Sequence, residues 1–373
     1  MTPAALERLS PEWDALADRL GAVPFLRPGW VAAWWDAFGQ GVPEPQTIRT
    51  DGRLTALVAL YRPAWRAPAF KTEPFPLTAR RRTLRATVNW HTPKAGFVAE
   101  DASAAGALAR ALVSRGEQLV SLAFFGPGET GFLEFRTAAE SAGYRLLLST
   151  LPPSPYVDVV GEWREYQAGL DGDLLRDLRR RRRRLEDQGD VTFEVADGRE
   201  RLEALLAEGL TVETSGWKAA RGSAISSRDE TTRFYTEAAR WAAERGWLRL
   251  SFLRIDGRAV AFQYGIEDGG VYYFLKGGYD PAFHRFAPGK LLVQAMLNRA
   301  FDGGLARFDF LGGDEPWKLE WTATCRERVI VHAFAPSLAG SLERVAITYG
   351  RPIRARVRRR LRDLRARARA RRR

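Results

Sequence analysis

The sequence predicts a mixed α/β (α+β) protein of two tandem domains followed by a basic carboxy-terminal helix. Three observations carry that expectation. The chain has 373 residues, about twice the usual single-domain length. Apolar runs of period two alternate with runs of helical period along most of it. A 17-residue segment near the middle returns near the end.

In chain order, Trp13 to Phe38 carries helical spacing, and Trp30, Trp34, Trp35 and Phe38 read as a core face. Short β-like runs follow at 54–61, 97–99, 118–125 and 144–149, interleaved with helical stretches at 102–115 and 132–142. Pro152, Pro153 and Pro155 then interrupt regular structure and mark the expected junction, so the domains are placed at 1–152 and 156–336. The second reads as a helix over 163–185, a strand over 191–195 and helices over 200–217 and 231–245. A meander of 247–255, 258–266 and 271–275 follows. Asp256-Gly257 predicts a two-residue hairpin turn whose central residues both need positive φ. A helix over 290–301 and strands over 305–311 and 327–334 complete it, and 337–373 form an Arg-rich tail.

Laid without gaps, residues 119–135 and 305–321 share Leu119/Leu305, Phe124/Phe310, Gly126/Gly312, Glu129/Glu315, Leu133/Leu319 and Glu134/Glu320. Six identities in 17 positions point to two copies of one fold. Where the second copy has Asp309 and Lys318, the first has Ala123 and Phe132. Chemistry is therefore expected in the second copy, and the first is expected to be non-catalytic.

With 12 Trp and 20 Phe the chain has the means to build packed cores. Its net charge of +13 is concentrated: residues 351–373 hold 13 Arg against the single acid Asp363, leaving the remainder nearly neutral. A general nucleic-acid binder would spread positive charge over a face, so nucleic acid is not expected as a general partner. The lone Cys325 with His91, His284 and His332 is too little for a zinc set, and no metal is expected. Met1 to Asp14 lacks the apolar core of a signal peptide and no run is long enough to span a bilayer, so a cytoplasmic protein is expected. In the tail, Ile353, Val357, Leu361 and Leu364 form an apolar stripe among arginines, a pattern that suits an anionic membrane surface as well as nucleic acid.

Gly126-x-Gly128-x-x-Gly131 matches a dinucleotide-binding fingerprint on paper, but the next β-like run ends in Ser149 and Thr150 with no acid for a ribose, and it reads as a turn. Neither a Gly-x-Ser-x-Gly elbow nor a nucleotide loop occurs. The loop from Tyr279 delivers Pro288 and Gly289 to a helix start flanked by Arg285 and Lys290. That suits an anion seat and an ordinary Pro-first helix equally. Glu213, Trp217 and Lys218 place a carboxylate, an indole and an ammonium at another helix end.

These pieces resemble the acetyltransferase-like domain of the GNAT superfamily, in the CelD-like branch named for cellulose and exopolysaccharide biosynthesis and related to the FemAB peptidyltransferases. The matching residues are Leu178 with Arg179–Arg184, Glu213 to Lys218, Gly257 to Ala261, Tyr279-Asp280-Pro281, Pro288 to Leu291, and Phe308 to Gly312 through Lys318 and Trp321. Pro24-Phe25 and the aromatic stretch Trp30 to Trp35 are similar to the family's amino-terminal half.

The resemblance implies two GNAT-like domains, with acetyl- or another acyl-coenzyme A held between splayed strands at 271–275 and 305–311. The pyrophosphate would be held by Arg285, Pro288, Gly289 and Lys290, where the family signature is Gln/Arg-x-x-Gly-x-Gly/Ala. Lys318 would stabilise the developing oxyanion, Asp309 or Glu213 would take the acceptor's proton, and Trp217, Lys218 and Tyr279 would contact the acceptor. That acceptor would be an amine or hydroxyl of a small molecule or saccharide. Two alternatives stand beside this reading: a FemAB-like ligase using aminoacyl-tRNA, and a non-enzymatic scaffold docked on a membrane or complex through residues 351–373.

Overall fold

The computed structural model describes residues 3–64, 82–215, 225 and 228–349. Two compact units interleave along the chain. One takes in the residues up to Gly39, Trp90–Pro93 and Thr150–Arg328; the other takes in Gln40–Asn89, Lys94–Ser149 and the chain from Val329 onward.

In the first unit, the helical signal of Trp13 to Phe38 resolves into two helices, Ala4–Leu20 and Pro28–Phe38. Gly21 at φ 57° takes the left-handed cap that ends the first. Pro28 opens the second, where a missing N–H costs nothing. The expected helix over 163–185 likewise divides into Trp163–Ala168 and Gly172–Glu186. The break falls at Asp171, whose carboxylate accepts the Asp173 and Leu174 amides at 2.7 and 3.0 Å.

The sheet of this unit runs Val191–Ala196, Leu248–Ile255, Arg258–Asp268 and Val271–Tyr279, all antiparallel. The hairpin at Asp256 (φ 47°) and Gly257 (φ 79°) has both central residues in the left-handed region, as their sequence requires. Helices cover both faces. Gly209 of Leu202–Ser215 lies against Phe262, while Met296 of Pro288–Asp302 meets Ser251, and residues 251 and 252 alternate in facing. Helix Asp229–Glu244 completes the packing, burying Phe234 and Tyr235.

Pro152, Pro153 and Pro155 lie inside a 14-residue strand, Arg145–Asp158, rather than in a break. The bonds they make use only their carbonyls: Phe310 N–H donates to Pro155 at 3.2 Å and Arg328 to Pro152 at 3.4 Å. A strand position that needs no N–H accommodates proline.

The second unit holds a three-stranded antiparallel sheet, Gln46–Thr50, Arg53–Val58 and Val98–Ala99. A second sheet joins Gly41–Pro43, Leu60–Pro63, Thr83–Ala86, Leu119–Ala123 and residues 330–334, with helices Ala102–Ser114 and Phe132–Ser141. Gly41–Pro43, Gln46–Thr50 and Thr83–Ala86 are short and give little periodic signal, and the sequence reading missed them.

The repeat reappears in three dimensions. Leu119–Ala123 is parallel to Thr83–Ala86 and antiparallel to 330–334. Arg307–Asp309 is parallel to 271–273 and antiparallel to 156–158. After each strand comes a residue in the left-handed region, Phe124 (φ 58°) or Leu311 (φ 54°), and then a helix, Phe132–Ser141 or Pro316–Leu319. The Arg-rich tail over 351–373 lies outside the described residues.

Candidate active site

Val271–Tyr279 departs from regular pairing at one point. Its register against Arg258–Asp268 slips between Tyr264 and Gly265, so Lys276 faces Tyr264, Phe274 faces Gly265, and Leu275 has no cross-strand partner. On its other side the strand pairs with Arg307–Asp309 for three residues only, Val271 to Tyr273. Beyond Tyr273 that pairing ends.

At this opening lies a cavity of about 330 Å³ walled by Phe262, Phe274, Tyr279, Val293 and Trp317. Its polar lining is Glu213, Gln263 and Lys290, with backbone from Gly277, Gly278 and Gly289. Mostly apolar walls with a few convergent polar groups are the ordinary constitution of a ligand site.

The glycines explain how the helix carrying Glu213 comes so near the strand. A Cβ on Gly278 would lie 2.6 Å from the Glu213 Cα, and one on Gly277 would lie 2.7 Å from the Phe274 ring. Glu213 itself is 1% exposed and accepts the Ile225 amide at 2.8 Å through Oε2.

Gln263 sits in a strand that is otherwise apolar from Ala259 to Ile266 apart from Tyr264, and it is 2% exposed. Its Oε1 accepts the Tyr272 hydroxyl at 3.3 Å, while its amide nitrogen has no hydrogen-bond partner. An amide nitrogen left unpaired in a buried place costs on the order of 1–3 kcal/mol. In a cavity wall, that is a donor held ready for a ligand.

Residues 172–319 match the sequence profile of the acetyltransferase (GNAT) domain. This stretch is similar to the GNAT acetyltransferases, and the match covers it alone. Among curated proteins none matches the chain. Two solved structures are similar along nearly their whole length. FemX is 12% identical over 91% of this chain and 98% of its own, with a TM-score of 0.59. The C-terminal domain of a putative lysylphosphatidylglycerol synthetase from Agrobacterium fabrum is 15% identical over 92% of this chain and 98% of its own, with a TM-score of 0.55. At such identity the likeness speaks for the fold.

Within the GNAT domain, four residues singled out from sequence meet at the cavity: Glu213, Tyr279, Gly289 and Lys290. Gly289 stands in the first turn of Pro288–Asp302, where Lys290 and Leu291 donate to the Ala287 carbonyl at 2.9 and 3.2 Å. The Lys290 ammonium pairs with Glu320 at 2.5 Å. Pro288 is buried beside it, and Arg285 lies exposed in the preceding turn with its carbonyl accepting from Arg181 at 2.5 Å. The Arg181 bond ties the arginine-rich helix to this corner, and Arg179, Arg180, Arg182, Arg183 and Arg184 of that helix face solvent.

Asp309 and Lys318 are not in the cavity lining. Asp309 is buried, accepts the Leu311 amide at 2.9 Å and is gripped by the Arg326 guanidinium. Lys318 is buried behind Trp317 and donates to the carbonyls of Leu311 at 2.7 Å and Gly313 at 3.0 Å, with Glu315 at 2.5 Å. Burial lowers its pKa from the usual lysine value. Both side chains thus hold the 311–315 loop from inside. Trp217 and Lys218 lie outside the described residues.

Cys325 is half-buried and its pKa is raised by burial, the wrong direction for a thiolate nucleophile. Among the described residues no cluster of His, Cys, Asp and Glu could hold a metal ion. The sequence reading passed over Gln263 and Gly277-Gly278. A lone amide amid Ala-Val-Ala-Phe and Tyr-Gly-Ile, and a Gly pair in a strand, were the available signals.

Proposed function

We propose that the protein transfers an acyl group from acyl-coenzyme A, acetyl-coenzyme A being the simplest, to an amine or hydroxyl of a small molecule or saccharide. The observation that carries the reading is the cavity at the end of the three-residue parallel pairing, with an unpaired Gln263 amide and a buried Glu213 in its wall.

The residues present fit coenzyme A. Apolar walls suit an acyl-pantetheine arm, and the first turn presents the Gly289 N–H and the positive end of a helix to a diphosphate, the Lys290 and Leu291 amides being bonded to Ala287. Exposed Arg285 adds charge beside it, and half-buried Lys290, paired with Glu320, lies in the same turn. When bound, the donor supplies a thioester carbon as electrophile.

The chain's own groups then have distinct work. Gln263 donates its free amide N–H toward the acyl oxygen, where negative charge develops. Glu213 accepts the proton of the attacking amine or hydroxyl. Tyr279 and Trp317 close the apolar walls and exclude water. Asp309 and Lys318 act by fixing the loop next to Trp317 rather than by touching the reacting atoms.

A second reading, aminoacyl transfer from charged tRNA, is favoured by one observation: the arginine row of Gly172–Glu186 is tied to the Arg285 carbonyl through Arg181. Thiol release in a mixture of acetyl-coenzyme A and an amine library separates the two. Turnover that appears only with charged tRNA, and falls steeply with salt, replaces the first reading with the second.

A further inference from the structure

The described chain ends on a helix, 338–349, whose outward face is apolar. Leu338, Leu342, Val345 and Tyr349 are 87%, 61%, 48% and 64% exposed. They recur at spacings of four, three and four, which puts them on one stripe. The opposite face is the one that packs. Ile347 buries against Leu119 and Phe334, and a Cβ on Gly340 would lie 2.4 Å from the Ala335 carbonyl oxygen.

The charge is sorted in the same sense. Glu343, the helix's single acid, is turned inward and 1% exposed, while Arg344 faces solvent. The sequence that follows adds 13 Arg against one acid, and its apolar residues Ile353, Val357, Leu361 and Leu364 continue the spacing. Exposed apolar side chains in a row, flanked by strongly net positive charge, match the chemistry of an anionic bilayer surface: acyl chains below, phosphates above. No helix among the described residues is long and apolar enough to cross a membrane.

We infer that the stripe Leu338, Leu342, Val345 and Tyr349 is a membrane-docking face that lies in the interface of an anionic bilayer, the net positive charge of the sequence that follows being what selects anionic lipid. This inference stands apart from the proposed reaction and names where the protein would meet its surroundings. The stripe supplies the apolar part of the binding and the following arginines the electrostatic part. Each is weak alone, and together they give a stable but salt-sensitive attachment.

Sedimentation of the full chain with vesicles tests it. Phosphatidylcholine vesicles containing phosphatidylglycerol should retain the protein at low salt, and pure phosphatidylcholine vesicles should retain at least tenfold less. L342S/V345S should lower binding to the anionic vesicles at least tenfold with an unchanged circular dichroism spectrum and thermal midpoint. Leu338→Ser, at the most exposed position, gives a smaller loss of the same kind if the double variant unfolds. Absence of binding to anionic vesicles overturns the inference, as does equal binding by the variants, which would leave the arginines acting without the stripe. A dimer that the double variant converts to monomer also overturns it, because a second copy would then be what covers the face.

Discussion

Arg326 and Asp309 form a forked ion pair in which both carboxylate oxygens are engaged, with Nη2 donating to Oδ1 at 3.0 Å and Nη1 to Oδ2. The same Oδ1 accepts the Leu311 amide, so one buried carboxylate fixes both the strand end and the left-handed residue that follows it. Removing a partner from a buried pair costs roughly 3–5 kcal/mol, because the other charge is stranded. Asp309→Ala should therefore lower the unfolding free energy by about 3 kcal/mol in urea titration. A variant of unchanged stability with lost turnover would instead make Asp309 a catalytic group.

Gln263→Leu should separate function from stability. The substitution removes an unpaired buried amide, so the thermal midpoint should hold or rise, although Tyr272 loses an acceptor. Turnover per KM should fall by about two to three orders of magnitude, the size of losing one donor at a developing oxyanion. Equal losses of stability and activity would mark Gln263 as a packing residue.

Glu213→Gln keeps the shape and the bond from Ile225 while removing proton acceptance. Turnover should fall by about a hundredfold or more with the thermal midpoint unchanged. Turnover retained in the variant would assign the base elsewhere.

His91 carries a pH prediction for the fold. Its ring stacks on Phe38 with centroids 5.5 Å apart and sits edge-on to Tyr235, whose hydroxyl lies 3.3 Å from Nδ1. Burial first, then the positive charges of Lys276 and Arg228, push its pKa down to about 3. An unfolded histidine binds a proton near pH 6.5, so between 6.5 and 3 the unfolded chain holds more protons than the folded one. Stability is then lost as pH falls through that window, by at most about 1.4 kcal/mol per pH unit from this residue. His91→Gln should flatten the slope in denaturation curves taken at pH 6.5 and 4.5, and an equal slope in the variant would assign it to other groups.

The meander, the hairpin at Asp256-Gly257 and the Pro288 helix were legible because periodicity and turn chemistry are local. The run of prolines was misjudged, since whether a strand residue needs its N–H depends on neighbours distant in sequence, here Phe310 and Arg328. Glu213, Tyr279, Gly289 and Lys290 share a cavity because two strands part and a Gly pair admits a helix, facts of tertiary geometry. Lys318 illustrates the reverse: its ammonium looked like a reacting group, but three oxygens of its own loop hold it.

The central claim is that the opening beside Val271–Tyr279 receives an acyl-coenzyme A thioester. Calorimetric titration of acetyl-coenzyme A into the wild-type chain and into Gln263→Leu measures it directly. One saturable site per wild-type chain, with weaker binding by the variant, is the predicted result. No saturable heat with acetyl-coenzyme A, alongside saturable binding of charged tRNA, would contradict it.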